Sequence, residues 1–255
     1  MLTVKPLPAF QDNYIWLLQQ DTTPDVAVVD PGDAAPVIDR LEQQGLVLDT
    51  ILITHHHHDH TGGLAELAQR YSPRIIGPRN AKIKELTETV GDGDSFRVLG
   101  RHVDVLETPG HTLDHISFLL PGTPSLLFCG DTLFCGGCGR LFEGSPDQMF
   151  DALERFKRLG DDTLVFAAHE YTLANLAFAQ ATEPDNAARD TLHRECERAR
   201  SLNRATLPST IGRERAINPF LRADQATVQQ RAAEQGDATD ARSTFATLRA
   251  WKDRF

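Results

Sequence analysis

A cluster of histidines constrains the fold of this chain more than any other feature of its sequence. Five of the ten histidines fall within residues 55–60 (HHHHDH), directly after the apolar segment 50–54 (TILIT). The cluster is internal, Asp59 interrupts it and a glycine pair follows it, so a polyhistidine tag does not explain it. A near-continuous β-branched segment is typical of a strand buried on both faces. We therefore expect a sheet protein with a metal-binding group at the end of a buried strand.

The spacing within this cluster predicts two neighbouring metal positions. Residues i and i+2 of an extended chain point the same way, so His55 and His57 can face one metal. Asp59 and His60 follow where the chain turns toward Gly62, and they can face a second metal. Imidazole and carboxylate groups are suitable ligands for Zn, and also for Fe or Mn.

Three further candidates follow other predicted strands. His111 lies in the turn TPGHT, Asp131 in the segment CGDT, and His169 in the segment AAHEY. Sheet proteins commonly carry their sites in loops at the carboxyl ends of strands. Seven ligands are too many for one tetrahedral metal, but they suit two centres that share a carboxylate and a water. The candidate ligands are His55, His57, Asp59, His60, His111, Asp131 and His169.

Short apolar runs separated by glycine and proline dominate the first two thirds of the chain. They predict strands over residues 25–30, 50–54, 74–76, 95–99, 102–106, 116–120, 125–128 and 163–167. Helical spacing predicts helices over residues 34–44, 64–71 and 148–158, interspersed with the strands. This order indicates an α+β fold with two mixed sheets faced by helices.

The pattern changes after about residue 170, where we expect no further strands. Helices are predicted over residues 173–181, 184–204, 224–234 and 240–252, and residues 205–221 read as a loop. Pro184 suits the first helical position, and Asp224 and Asp240 suit N-caps. We therefore divide the chain into a sheet domain, residues 1–170, and a small helical domain, residues 171–255.

Composition excludes several classes of protein. Hydrophobic residues make up 40% of the chain and charged residues 24%, as in an ordinary globular protein. No apolar run approaches about 18 residues, and the first residues lack the pattern of a secretory signal, so we expect no membrane span. Four cysteines are too few for a disulfide framework, which favours a cytoplasmic protein. The net charge of −10 argues against nucleic-acid partners, and we expect a monomer.

The complete motif resembles the signature of the metallo-β-lactamase superfamily. The resemblance rests on THxHxDH at residues 54–60, with His111, Asp131 and His169 downstream. It implies a four-layer αββα sandwich with a dinuclear site. In that pattern His55, His57 and His111 would bind the first metal. Asp59, His60 and His169 would bind the second, and Asp131 would bridge the two.

A closer resemblance is to the glyoxalase II, or hydroxyacylglutathione hydrolase, family. It rests on THHHHDHTGG at residues 54–63, GGCGRLFEG at 136–144, AHEYT at 168–172, NPFLR at 218–222 and LRAWKD at 248–253. The family has a helical C-terminal domain of this size. Two positions depart from the family pattern, because Asp114 stands where glycine is frequent and Phe142 where some members have tyrosine.

This resemblance implies a thioester hydrolase of the glyoxalase pathway. Its reaction would convert S-(2-hydroxyacyl)glutathione, such as S-D-lactoylglutathione, to glutathione and a 2-hydroxy acid such as D-lactate, the second step of methylglyoxal degradation. Two divalent ions, expected to be Zn with Fe or Mn as alternatives, would activate the attacking water, and Asp59 and Asp131 would hold the metal-bound hydroxide. The residues implied to bind substrate are Arg140, Tyr171, Arg249 and Lys252.

Four other interpretations use the same fold. A glutathione persulfide dioxygenase would need one iron and O₂, whereas the second ligand set is complete here. A β-lactamase would carry an export signal, and an RNA-processing nuclease would present a basic face, yet residues 1–170 carry a net charge of −12. A degenerate scaffold would have lost ligands.

Two further features have structural interpretations. Cys135 and Cys138 are interpreted as parts of a packed loop, and Asp30 either orients a ligand or simply ends a strand.

Overall fold

The computed structural model describes residues 2–80 and 82–255, and two six-stranded sheets dominate this part of the chain. In chain order the strands are β1 Leu2–Ala9, β2 Asn13–Gln20, β3 Asp25–Val29, β4 Val47–Leu52, β5 Arg74–Pro78, β6 Glu88–Val90, β7 Ser95–Val98, β8 Arg101–Glu107, β9 Ile116–Leu120, β10 Leu126–Gly130, β11 Leu133–Phe134, β12 Gly137–Cys138, β13 Leu164–Ala167 and β14 Ser209–Thr210. The helices are α1 Ala35–Gln44, α2 His58–Thr61, α3 Leu64–Tyr71, α4 Pro146–Lys157, α5 Thr172–Thr182, α6 Ala187–Ser201, α7 Ile211–Ile217, α8 Ala226–Ala233 and α9 Ala241–Lys252.

The first sheet runs from β1 to β6 in sequence order. Its first three strands are antiparallel, and β3 to β6 are parallel. The second sheet has the order β14-β13-β10-β9-β8-β7, in which β10 and β13 form a parallel pair. The strands β11 and β12 form a separate small hairpin.

Alternating residues of the first sheet enter two different cores. On β2, Ile15 and Leu17 pack with buried residues of α1 and α3, whereas Trp16 packs toward the second sheet. The Trp16 ring lies 5.0 Å from the ring of Phe166 on β13, and its indole donates a hydrogen bond to the Ala167 carbonyl. Successive side chains of a strand point to opposite faces, so one sheet serves both cores. Buried residues of α4 join the core of the second sheet, and the predicted four-layer αββα arrangement is confirmed.

The first two strands were not predicted from the sequence. Pro6 and Pro8 lie in β1, which pairs with β2 and forms the edge of its sheet among the described strands. Proline is tolerated on an edge strand because no donor is needed on the free side. In β2 the side chains are buried almost throughout, so no alternation of polar and apolar residues marks it.

The expectation that strands stop after residue 170 is wrong. The two residues of β14 pair with Leu164 and Val165, and they complete the second sheet from within the helical part of the chain. Helix α7 follows directly, inside the segment predicted to be a loop, with the Thr210 side chain as its N-cap. Both elements are too short to produce a periodic sequence pattern.

Two predicted helix starts also need correction. Helix α6 begins at Ala187 with Asn186 as N-cap, three residues after Pro184. Helix α8 is preceded by Gln225, because Asp224 is occupied by an ion pair with Lys157. The capping function of Asp240 is confirmed, since its side chain accepts from the Ser243 amide in a reciprocal capping box. Within the described residues, no helix is long and apolar enough to cross a membrane.

Candidate metal centre

The seven candidate ligands meet at one edge of the sandwich. His55 and His57 follow β4, and Asp59 and His60 lie on the short helix α2. Asp131 directly follows β10, and His169 comes two residues after β13. Because β10 and β13 are parallel, their carboxyl ends bring these two side chains to the same edge.

Three histidines form the first triad, His55, His57 and His111. Each offers one ring nitrogen, and these three atoms lie within 4.8 Å of one another. His57 Nδ1 and His111 Nε2 are 3.0 Å apart. Three imidazole nitrogens at this separation can coordinate one ion.

The second triad consists of Asp59, His60 and His169, and its ligand atoms converge in the same way. Asp59 Oδ2 lies 3.5 Å from His60 Nε2 and 3.4 Å from His169 Nε2. These are the residues that the sequence resemblance assigned to the second metal, and the structure brings all of them together.

Asp131 lies between the two triads, with one oxygen toward each. Its Oδ2 is 3.3 Å from His111 Nε2 of the first triad. Its Oδ1 is 3.5 Å from His60 Nε2 and 3.3 Å from His169 Nε2 of the second. A carboxylate in this position can bridge two ions.

Buried polar atoms without partners indicate that this group of side chains is built for cations. His55 Nε2 and Asp131 Oδ1 are buried and have no hydrogen-bond partner among the described residues. Burial and the neighbouring histidines lower the pKa values of His55, His57 and His111, so these rings are neutral nitrogen donors. Burial raises the pKa of Asp131, but His169 and His60 outweigh it and hold that pKa well below its usual range. Burial lowers the pKa values of His60 and His169, but Asp131 outweighs it and raises both, so an ion at the second triad would displace protons. The cluster is able to bind metal ions.

Each of three histidines is oriented through its other ring nitrogen. His111 Nδ1 lies 2.7 Å from the Arg140 carbonyl oxygen, and His169 Nδ1 lies 2.8 Å from Asp12 Oδ1. His60 Nδ1 is 3.0 Å from Asp30 Oδ2. Such contacts fix the tautomer and the ring direction of a ligating histidine. Asp30 also accepts from the amide and the hydroxyl of Thr54, so its ligand-orienting interpretation stays a prediction.

Sequence reasoning missed two residues of the β1–β2 turn region. Asp12 orients His169, and Asn13 Nδ2 donates to Asp59 Oδ2 at 3.1 Å. Neither residue belongs to a recognisable motif, and 157 positions separate Asp12 from its partner. Only the hairpin that returns the N-terminal strands to the site brings them there.

Glycine is needed at two points where the chain passes close to the backbone of Asp59 and of Asp131. A Cβ on Gly32 would lie 1.8 Å from the Asp59 carbonyl oxygen. A Cβ on Gly139 would lie 1.9 Å from the Asp131 carbonyl oxygen. Any side chain at either position would displace the loop that carries the carboxylate.

An open cavity of about 450 Å³ lies directly over the two triads. Its lining consists of His57, Asp59, His111, Asp131, Phe134, Arg140, Phe142, His169 and Tyr171. The Tyr171 ring stacks on the His169 ring, with centroids 4.8 Å apart and planes 6° from parallel. Two of the predicted substrate-binding residues, Arg140 and Tyr171, therefore face the same space as the candidate metal ligands.

Comparison with known proteins agrees with this geometry. The metallo-beta-lactamase superfamily matches residues 10–169, and the family described as hydroxyacylglutathione hydrolase C-terminus matches residues 170–255. The chain is 66% identical over 255 residues to hydroxyacylglutathione hydrolase of Chromohalobacter salexigens, covering all of both chains. The chain belongs to the hydroxyacylglutathione hydrolase family. It is also 50% identical to the enzyme of that name from Pseudomonas fluorescens, again over the whole of both chains.

A solved structure with low sequence identity shares the fold. The crystal structure of ETHE1 from Myxococcus xanthus superposes with a TM-score of 0.70 at 24% identity, covering 98% of this chain and 90% of that one. At this identity the likeness concerns the fold alone.

The other two predicted substrate-binding residues are not part of the cavity lining that the described residues form. Arg249 is 5% exposed, and its guanidinium donates to the Cys138 carbonyl at 2.8 Å and to Asp253 Oδ1 at 2.9 Å. Lys252 is half-buried; its ammonium lies 3.2 Å from the Ala174 carbonyl and over the ring of Phe178. Both cations lie behind the loop that carries Arg140 rather than in the open cavity.

The two residues that depart from the family pattern lie beside the segments that carry the first triad. Asp114 accepts from Asn80 at 2.7 Å, and its Oδ1 is 2.9 Å from His56 Nδ1. The acidic side chain therefore joins the loop of His111 to the segment that carries His55 and His57. Phe142 is exposed, with its ring 5.2 Å from that of His111.

The thiols near the site take no part in its lining. Cys135 and Cys138 are buried and unpaired, and burial raises the pKa of Cys138 to about 11. This agrees with the packed-loop interpretation. His115 is buried behind the site, where its Nε2 accepts from the Asp131 amide at 3.1 Å.

Proposed function

We propose that this protein hydrolyses the thioester of S-(2-hydroxyacyl)glutathione, releasing glutathione and a 2-hydroxy acid such as D-lactate. The observation that carries the proposal is the pair of triads that share Asp131, beneath a cavity with a cation at its rim. The whole-length identity to relatives named hydroxyacylglutathione hydrolase supports the choice of substrate.

The proposed enzyme uses two divalent metal ions. Zn²⁺ is the first choice, and Fe or Mn are the alternatives. One ion would be held by His55, His57 and His111. The other would be held by Asp59, His60 and His169. Asp131 would contribute to both sites. When bound, such ions lower the pKa of water and polarise a carbonyl. Asp59 and Asp131 both line the cavity, so their carboxylates can accept hydrogen bonds from the attacking water.

Arg140 at the cavity, with Arg249 and Lys252 behind its loop, would supply the positive charge that attracts the glutathione moiety. Asp253 Oδ1 lies 2.9 Å from Arg249 Nη2 and 3.8 Å from Arg140 Nε, and Lys252 is on the same helix as Arg249. One carboxylate cannot neutralise three cations, so the group retains positive charge. Arg140 is exposed at the cavity, which makes it the direct partner for the glycine carboxylate of glutathione. Tyr171 would contact the peptide portion from the other wall.

We also propose the setting in which the enzyme works. The sheet domain, residues 1–170, would carry the chemistry, and residues 171–255 would supply the charge that captures substrate. The four cysteines, all buried and unpaired, are consistent with a reducing cytoplasm. The net charge of −10 disfavours nucleic acid or anionic membranes as partners, so a small-molecule substrate and a monomeric enzyme complete the proposal.

Release of free thiol from S-lactoylglutathione by the Zn-loaded protein tests this function. We expect hydrolysis without oxygen consumption. Arg140→Gln should raise KM by roughly tenfold or more and largely spare kcat. The charge-assisted contact that it removes would be made equally in the ground state and in the transition state. Arg158→Gln, at an exposed arginine that follows α4, is the matched control and should leave KM unchanged. Oxygen uptake on glutathione persulfide in place of thioester hydrolysis would overturn the proposal.

A further inference from the structure

The loop of residues 134–140 links the C-terminal helices to the metal site. Its first part is held from the helical side, where Asn218 Nδ2 donates to the carbonyl oxygens of Phe134 at 3.2 Å and Gly137 at 2.9 Å. Glu214 Oε2 accepts from the Gly136 amide at 2.8 Å. The last part of the loop is held by Arg249 of helix α9, and not by Asn218 or Glu214.

Arg249 is committed to the backbone of this loop. Its Nη1 donates to the Cys138 carbonyl at 2.8 Å and lies 3.4 Å from the Gly139 carbonyl. Its Nη2 donates to Asp253, and its guanidinium carbon lies 5.3 Å from the centroid of the Phe220 ring. A guanidinium that is buried to this extent and donates to several partners is oriented toward the loop.

Arg140, which follows Cys138 and Gly139 in the loop, orients the candidate metal ligand His111. The Arg140 carbonyl oxygen lies 2.7 Å from His111 Nδ1. The Gly139 amide donates to the Thr132 carbonyl at 3.2 Å, next to Asp131. Since no Cβ fits at Gly139, the loop lies directly against the backbone of Asp131. A shift of residues 138–140 would therefore move the group that fixes the His111 ring.

We propose that Arg249 is a positioning residue for the metal centre. It holds the carbonyl groups of residues 138 and 139, so that the Arg140 carbonyl keeps His111 in the orientation that binds the first ion. The inference rests on the proposed function for its catalytic consequence, but its effect on metal affinity is independent of the substrate. It gives the C-terminal helix α9 a function in the chemistry itself, in addition to its charge.

The test measures the metal affinity of the purified full-length protein by chelator competition with Zn²⁺, without substrate. Losing a hydrogen-bond partner of a metal ligand typically costs ~10–100-fold in metal affinity or activity. Arg249→Ala removes the support of such a partner rather than the partner itself, so it should weaken one of the two bound ions by about tenfold, the lower end of this range, and lower kcat. Arg242→Ala is the matched control: it removes an arginine from the same helix that pairs with Asp147 and Asp151 of α4, away from the loop. It should leave both ions and kcat unchanged.

A second variant separates positioning from charge. The amide of Arg249→Gln has no charge but can still donate to one loop carbonyl, so it should recover part of the metal affinity lost in Arg249→Ala. If Arg249 acted instead by direct contact with a substrate carboxylate, both variants would raise KM alike and bind both ions with wild-type affinity. That result would overturn the inference. If the wild-type protein lacked thioesterase activity, the proposed function would fail. The Zn²⁺ affinities of the wild type and the Arg249 variants would still test the positioning function, so the two failures are distinguishable.

Discussion

Asp131 is the residue on which both halves of the site depend. Its two oxygens lie 3.3 Å from His111 of one triad and 3.3 Å from His169 of the other. Burial of a carboxylate is costly unless cations or hydrogen bonds compensate for it. At Asp131 the surrounding imidazoles provide part of that compensation, and the ions of the proposal would provide the rest.

This position predicts different losses for different ligands. Asp131→Ala should weaken the binding of both ions, by more than the ~10–100-fold that the loss of an outer hydrogen-bond partner costs. His169→Ala should weaken mainly one ion. Elemental analysis after dialysis against limiting Zn²⁺ distinguishes the two variants. If Asp131→Ala kept one ion at full occupancy, the carboxylate would not be shared.

The proposed contribution of Lys252 to substrate capture predicts a pH dependence of KM. Burial and the neighbouring Arg249 lower the pKa of Lys252 to about 8. The side chain is cationic below this pKa and loses its charge as the pH rises through about 8, well below the usual lysine range. KM for a glutathione thioester should therefore increase above pH 8. Lys252→Gln should have a higher KM at neutral pH that no longer responds in this range, and a wild-type KM independent of pH would contradict the prediction.

At the scale of elements, the sequence predicts the candidate ligands better than it predicts the strands and backbone contacts that surround them. Candidate ligands are recognisable because few types of side chain bind metal ions, and because strand ends bring them together. All seven converge as expected, although their binding of metal stays a prediction. What could not be predicted depends on backbone and long-range contacts. The edge strand β1 contains prolines, β14 has two residues, and Arg249 is directed to carbonyl groups that have no signature in the sequence.

The N-terminal hairpin supplies a prediction at this scale. Its turn places Asp12 2.8 Å from His169 Nδ1, so Asp12→Ala should weaken the ion of the second triad by ~10–100-fold. Asp12→Asn retains an acceptor oxygen and should recover part of this affinity. Gln11→Ala, at the exposed neighbouring position, serves as the control. Zn²⁺ competition experiments measure the effect, and wild-type affinity in Asp12→Ala would show that the hairpin does not contribute to the centre.

At the scale of the whole molecule, the helical part completes the sheet part. Strand β14 pairs with β13, and Glu214 is buried against Ser209 and the Gly136 amide. Phe178, Phe220 and Phe245 belong to the same buried cluster as Phe128 and Phe166 of the second sheet. The two parts therefore share one core, and their separation would expose apolar surface.

A chain ending at residue 170 should consequently fail to fold as a metal-loaded unit. It would lack β14 and the side chains that hold the 134–140 loop, including Asn218 and Arg249. We expect loss of cooperative thermal unfolding and aggregation at ordinary protein concentrations. A soluble fragment that unfolds cooperatively and binds two ions would show that the sheet domain is independent.

The most direct test of the account is a titration of thioesterase activity with metal. The metal-free protein is refilled with increasing Zn²⁺, and hydrolysis of S-lactoylglutathione is followed together with the number of ions bound per chain. The shared position of Asp131 predicts that activity rises to its maximum only as the second ion binds, and that Asp131→Ala stays inactive at every ratio. Full activity at one ion per chain, or none with both bound, would contradict it.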